Sequence, residues 1–283
     1  MRNCLFLFFP LSLFGQLTVK LRTETVREFD KYVLNSETAM QKRWKGQQPF
    51  LMMDDTASDR AEVRSGGIFV RQVSSKGGMK VTGGIIHEWT AGTLFKGATL
   101  EQAQNLVVDF DRHKNIYPEV VDSRLVLNAG SVRRGYHRLM KKKVLTVVLN
   151  SEYKVQMYQA GPTRAYTVSH STKITELDDP GKKSERELPE GEDHGFLWRL
   201  NAYWRFQSAP EGVYAECQAI SLTRDVPAGL SWVVNPFVQD MPRESLRSTL
   251  EATRKALTGS STDPTPARKT HRLFSPRRTQ AAF

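Results

Sequence analysis

Cysteine is the scarcest chemistry-bearing residue in this 283-residue chain, present only at Cys4 and Cys217. A four-thiolate zinc site is therefore excluded, and no internal disulfide remains if the leading segment with Cys4 is removed. Cys217 falls among small residues and reads as a packing side chain. The six histidines are scattered, and none has a metal-ligand partner at local spacing. His87-Glu88 lacks a second histidine four positions after the first, so it is not a metalloprotease helix. The glycines of Ser74-Ser-Lys-Gly-Gly78 are not followed by Gly-Lys-Ser/Thr, which makes them a hairpin turn and not a phosphate-binding loop. No nucleic-acid-recognition motif is present, no cofactor is implied, and nothing specifies an oligomeric state.

What is present begins with a short positive end and an apolar run, Leu5 to Phe14, broken by Pro10. It is too short to span a bilayer and matches a secretory signal over residues 1–15, so the expected location is exported, periplasmic or secreted. The net charge is +11; residues 258–283 hold five basic side chains against Asp263, and with these and Arg2 set aside +6 remains for the body. The tail's Ser/Thr/Pro/Arg composition reads as disordered, with a basic charge suited to weak contact with anionic membrane surfaces.

Between these ends the patterns are those of a folded domain. Val26, Phe29, Val33, Met40 and Trp44 are spaced for one helical face, and residues 52–62 read as a polar connection, so 16–65 is an N-terminal helix and linker. Strand-like runs cover Gly67 to Val73 and Met79 to Thr90. A helix opens at Thr99 with a Thr99/Gln102 capping box and ends near His113. Strands follow at Val120 to Leu127, Tyr136 to Asn150, Lys154 to Gln159 and Ala165 to Leu177, joined by short turns as an antiparallel meander. The lysines 141–143 read as edge protection rather than a phosphate contact. The charged stretch 178–194 reads as a mobile excursion. A final helix covers Met241 to Leu257, with Asp240 as its cap and Leu246, Leu250 and Leu257 on one side.

The strongest pattern is Gly195 to Pro227. Phe196, Trp198, Leu200, Ala202, Trp204 and Phe206 alternate with polar or mixed residues, and after a turn at 207–212 Val213, Ala215, Cys217, Ala219 and Ser221 do the same. The expected register sets Phe206 opposite Val213, Trp204 opposite Ala215 and Leu200 opposite Ala219. Arg199, Arg205 and Glu216 fall on the opposite face, expected as a charge cluster of little individual weight.

Element order, with Leu197-Trp-Arg-Leu-Asn-Ala-Tyr-Trp-Arg-Phe206, Glu216-Cys-Gln-Ala-Ile-Ser-Leu-Thr-Arg-Asp-Val-Pro227 and Met241-Pro-Arg-Glu-Ser-Leu246, resembles the START-like, or Bet v 1-like (SRPBCC), superfamily. The resemblance covers residues 66–257. It implies an α+β helix-grip fold, a curved antiparallel sheet wrapped around a long C-terminal helix, with a ligand chamber between them. It implies a hydrophobic, lipid-like or aromatic small-molecule ligand that is bound or transported. Trp198, Leu200, Trp204, Phe206, Ala215, Cys217, Ala219 and Leu250 are then the expected walls, and Trp232 and Phe237 a gate. The alternative is a cyclase- or hydrolase-like enzyme acting on an aromatic or polyketide-like substrate. For that reading His113, Tyr117, Tyr136 and His137 are the nearest ionisable groups, and spacing pairs no nucleophile with a base.

Overall fold

Residues 18–143, 146–225 and 241–259 are described by a computed structural model of the chain. After a short strand β1 (Val19–Lys20), helix α1 runs Thr23–Trp44 and buries Thr25, Phe29, Val33 and Met40 along one stripe. Residues 52–62 are folded, contrary to the expected polar connection: a 3-10 turn (Met52–Asp55) leads into helix α2 (Ala57–Arg64). Thr56 caps this helix by accepting from the Asp59 amide. The aspartates masked the apolar anchors of this stretch, because Leu51, Met53 and Val63 are fully buried.

Strands β2 (Phe69–Gln72), β3 (Met79–Val81) and β4 (Gly84–Lys96) follow. Helix α3 (Leu100–Val108) opens with both hydrogen bonds of the capping box, Gln102 N to Thr99 Oγ1 and Thr99 N to Gln102 Oε1. It stops short of His113, which opens a separate one-turn helix α4 (His113–Ile116).

Four long strands come next: β5 (Val120–Ala129), β6 (Val132–Lys142), β7 (Thr146–Gln159) and β8 (Arg164–Asp178). The single strand expected over 136–150 is divided at the lysine run, and β7 passes straight through Asn150-Ser-Glu152. Polar residues sit comfortably there because they find cross-strand partners: Tyr136 Oη donates to Asn150 Oδ1, and Ser151 Oγ donates to His137 O. The stretch 178–194 is pinned at two points and is not a free excursion. Strand β9 (Arg186–Glu187) pairs with β8, and β10 (Glu192–Asp193) pairs with β1.

Strands β11 (Arg199–Ala209) and β12 (Gly212–Arg224) close the series. They run further than expected, leaving Pro210-Glu211 as the turn, so the register differs by two residues: Phe206 faces Ala215, Trp204 faces Cys217 and Leu200 faces Ser221. A shift of two keeps side-chain parity, which is why the same residues still share a face. Helix α5 (Met241–Gly259) follows and buries Leu246, Leu250 and Thr253.

The main sheet is antiparallel, ordered β2-β4-β12-β11-β8-β7-β6-β5, with β3 added on β4 and β9 on β8. It is curved, and register shifts interrupt the β5–β6 and β7–β8 ladders. Its inner face packs on α3 and α5, with Phe95, Phe110, Trp204, Phe206 and Leu250 in one core. Its outer face is covered by the N-terminal segment, where Phe29, Val33 and Met40 of α1 meet Trp198, Tyr203 and Ile220. The 3-10 turn and α2 complete the cover, with Met53 and Val63 packed near Phe69 and Tyr214. Among the described residues no helix is long and apolar enough to cross a membrane. The expected signal at 1–15, the cap Asp240, the gate residues Trp232 and Phe237 and residues 260–283 of the basic tail lie outside the described residues, while Thr258 and Gly259 belong to α5.

Candidate functional site

Alternation along β11 and β12 sends bulky and small residues to the same inner face, and the two do not fill it. A cavity of about 280 Å³ lies between that face, α3, α4 and the N-terminal half of α5. Its walls are mainly apolar, including Val107, Phe110, Leu149, Val155 and Leu246. Such a chamber, with a few polar groups set into it, is the usual form of a small-molecule site.

Of the expected wall residues, Leu200, Trp204, Cys217 and Ala219 line the cavity. Phe206, Ala215 and Leu250 are fully buried in the core beside it, where Phe206 stacks on Trp204 with ring centroids 5.7 Å apart. Trp198 is a correction, because it packs in the outer-face core against α1. The alternation does not reach back to it: β11 starts at Arg199, and the indole Nε1–H donates to buried Asp193 Oδ1 at 2.8 Å. Phe196 and Leu197 line the cavity instead. Arg205 and Glu216 are corrections too. Both are completely buried under the N-terminal segment, so theirs is no exposed charge cluster.

Three of the four ionisable candidates come together in the chamber. His113, Tyr117 and His137 line it. Tyr136 does not; Asn150 holds its hydroxyl and the Arg124 guanidinium lies 3.8 Å from its ring centroid. His113 Nδ1 is 2.8 Å from His137 Nε2, and His113 Nε2 is 3.1 Å from the Leu106 carbonyl oxygen. Phe110 rests against both imidazole rings. It can do so because residue 135 is glycine, where any Cβ would strike the Phe110 ring.

Burial governs the protonation of these groups. It pushes His113 down to about 4 and His137 to about 3, the latter helped by the neighbouring imidazole. Both are neutral at pH 7. Tyr117 and Cys217 are each pushed up to about 12 by burial, so the thiol is not an activated nucleophile. A second polar group, missed in the sequence, borders the cavity at the start of α5. Lys141 pairs with Glu119, and Ser245 Oγ donates to Glu119 Oε2 at 3.0 Å. Lys141 had the signal of a solvated edge, and only the fold brings Glu119 and Ser245 to it. Among the described residues no group of His, Cys, Asp or Glu is arranged to hold a metal ion.

No family profile and no curated protein matches the chain. Solved structures do. A STAR-related lipid transfer protein from Xanthomonas axonopodis is similar at 17% identity over 68% of this chain and 92% of that one, with a TM-score of 0.45. Human STARD10 is similar at 11% identity over 73% and 81%, with a TM-score of 0.40. The di-domain ARO/CYC StfQ from the steffimycin biosynthetic pathway is similar at 11% identity over 73% of this chain and 56% of that one, with a TM-score of 0.41. Likenesses this distant carry no argument about ligand or reaction. The described chain shows a helix-grip arrangement, a curved antiparallel sheet closed over a long C-terminal helix.

Proposed function

We propose that this protein binds or carries a hydrophobic small molecule, lipid-like or aromatic, in the chamber between the sheet and α5. The observation that carries this reading is the cavity of about 280 Å³ itself, with apolar walls on the sheet, α3 and α5. A closed core would fill such a space, since unfilled apolar volume costs stability. Mass spectrometry of the protein purified from its native host tests it. A co-purifying apolar compound is the expected result; if none is found and an environment-sensitive apolar probe also fails to bind, the reading falls.

A second reading, a cyclase- or hydrolase-like enzyme on an aromatic substrate, draws on His113, Tyr117 and His137 lining the same space. Their environment favours binding over acid–base work. Imidazoles held near 4 and 3 are unprotonated but weakly basic, far from the matching to ambient pH that efficient proton transfer needs. Export through residues 1–15 and a weak membrane contact through the basic tail belong to the same proposal. N-terminal sequencing of the mature protein, and vesicle binding with residues 258–283 deleted, check them.

A further inference from the structure

The hydrogen bonds around the histidine pair give one side of the chamber a polarity. The Leu106 carbonyl oxygen only accepts, so His113 Nε2 carries the proton in the 3.1 Å contact between them. In a neutral imidazole that leaves His113 Nδ1 bare. His137 Nε2, 2.8 Å away, must donate to it. The chain of donors ends there, and His137 Nδ1 is left with only a lone pair. No described residue bonds to this atom, and it is not among the atoms sealed away without a partner, while the ring lines the cavity.

Tyr117 is used up in the same sense. Thr253 Oγ1 donates to the Thr249 carbonyl at 2.7 Å, so in its 3.2 Å contact with Tyr117 Oη it is the acceptor and the phenol the donor. What Tyr117 has left is again a lone pair. The hydroxyls of Thr167, Ser169 and Ser221 can rotate into either role and do not discriminate. Burial keeps both imidazoles uncharged, and the lysine that borders the cavity, Lys141, is paired with Glu119, so these groups offer no unpaired cation to an anionic ligand.

We infer that the ligand of this chamber is neutral and donates a hydrogen bond, an alcohol, phenol or N–H group on an apolar frame, to His137 Nδ1. The inference rests on the proposed binding function and adds the chemical class. A ketone, ether or carboxylate would set lone pair against lone pair and leave a half-buried acceptor unpaired.

The test uses the full chain, stripped of bound lipid, and three probes of one shape: 2-naphthol, 2-methoxynaphthalene and 2-naphthoate. The expected result is that 2-naphthol binds about tenfold more tightly than the methyl ether, the worth of one partly buried hydrogen bond, and more tightly still than the anion. In His137→Phe that preference should fall toward unity. Ring ¹⁵N shifts of the unsubstituted protein supply a readout independent of any variant, with the proton expected on Nε2 of both histidines. Equal binding of naphthol and its ether, tightest binding of the naphthoate, or a proton on His137 Nδ1 overturns the inference while leaving the binding function standing. If none of the three probes binds, the binding function and the inference fall together.

Discussion

The two faces of the sheet use polar residues in opposite ways. On the outer face the polar side chains are sealed and largely paired. Arg205 Nε donates to Glu216 at 3.1 Å and Arg205 Nη1 to Gln218 at 3.0 Å; Gln218 donates to Glu88, and Glu88 accepts from Tyr32 at 2.6 Å. Glu216 also accepts the amides of Met52 and Met53, at 2.8 and 2.6 Å. Arg205 Nη2 stands 3.0 Å from Glu216 Oε2 but out of line for a further hydrogen bond. On the inner face the His137 ring lines the cavity, and its Nδ1 has no hydrogen-bond partner among the described residues. The same strands β11 and β12 supply both surfaces. One face spends its hydrogen-bonding capacity on holding the N-terminal segment, and the other leaves some unspent at the cavity.

This contrast can be broken by substitution, most severely on the outer face. Glu216→Ala strands the Arg205 guanidinium and two backbone amides in the interior and should cost about 3–5 kcal/mol in urea unfolding. A loss below about 1 kcal/mol would mean that water reaches this face. Asp193 tests the same side by pH. Burial, with Glu176 nearby, raises its folded value to about 6, above the unfolded value near 3.8. Its contribution is therefore full below about pH 4 and lost as pH rises through about 6. Asp193→Asn removes that loss, so the variant should be more stable than the parent at pH 7, by about 1–3 kcal/mol, and the gap should close at pH 4. A gap independent of pH contradicts the assignment.

Two alanines on the inner face of β12 sharpen the comparison further. Ala215 is fully buried in packed core, so Ala215→Leu should destabilise by about 1–3 kcal/mol through overpacking. Ala219 borders the cavity, so Ala219→Leu has room. Its stability should change by less than about 1 kcal/mol while affinity for an apolar probe falls at least tenfold. Equal stability losses at the two positions would show that no usable space adjoins Ala219.

Local signals were legible in the sequence. The capping box at Thr99 and the period-two alternation over 199–224 depend on neighbours a few residues away, and both produced the elements they implied. Leu200, Trp204, Cys217 and Ala219 reached the cavity because parity survived the register error. The cover of the outer face was illegible for a physical reason. An Arg and a Glu alternating with apolar residues look the same whether water or a distant backbone satisfies them, and Glu216 is satisfied by amides 163 and 164 positions earlier. Trp198 escapes the alternation because β11 begins one residue after it, and its Asp193 partner sits in a stretch whose composition reads as loop.

Those amides carry a consequence for the order in which the molecule is made. The segment that covers the outer face is synthesised well before the strands it covers, as the Tyr203–Glu37 bond, 166 residues apart, shows. At ~5–20 residues per second, the apolar stripe of Phe29, Val33 and Met40 waits about 10–40 s before its partners exist. Contacts so distant in sequence also close slowly once synthesis ends. Until those strands are made, the apolar stripe of α1 has none of its packing partners on the sheet.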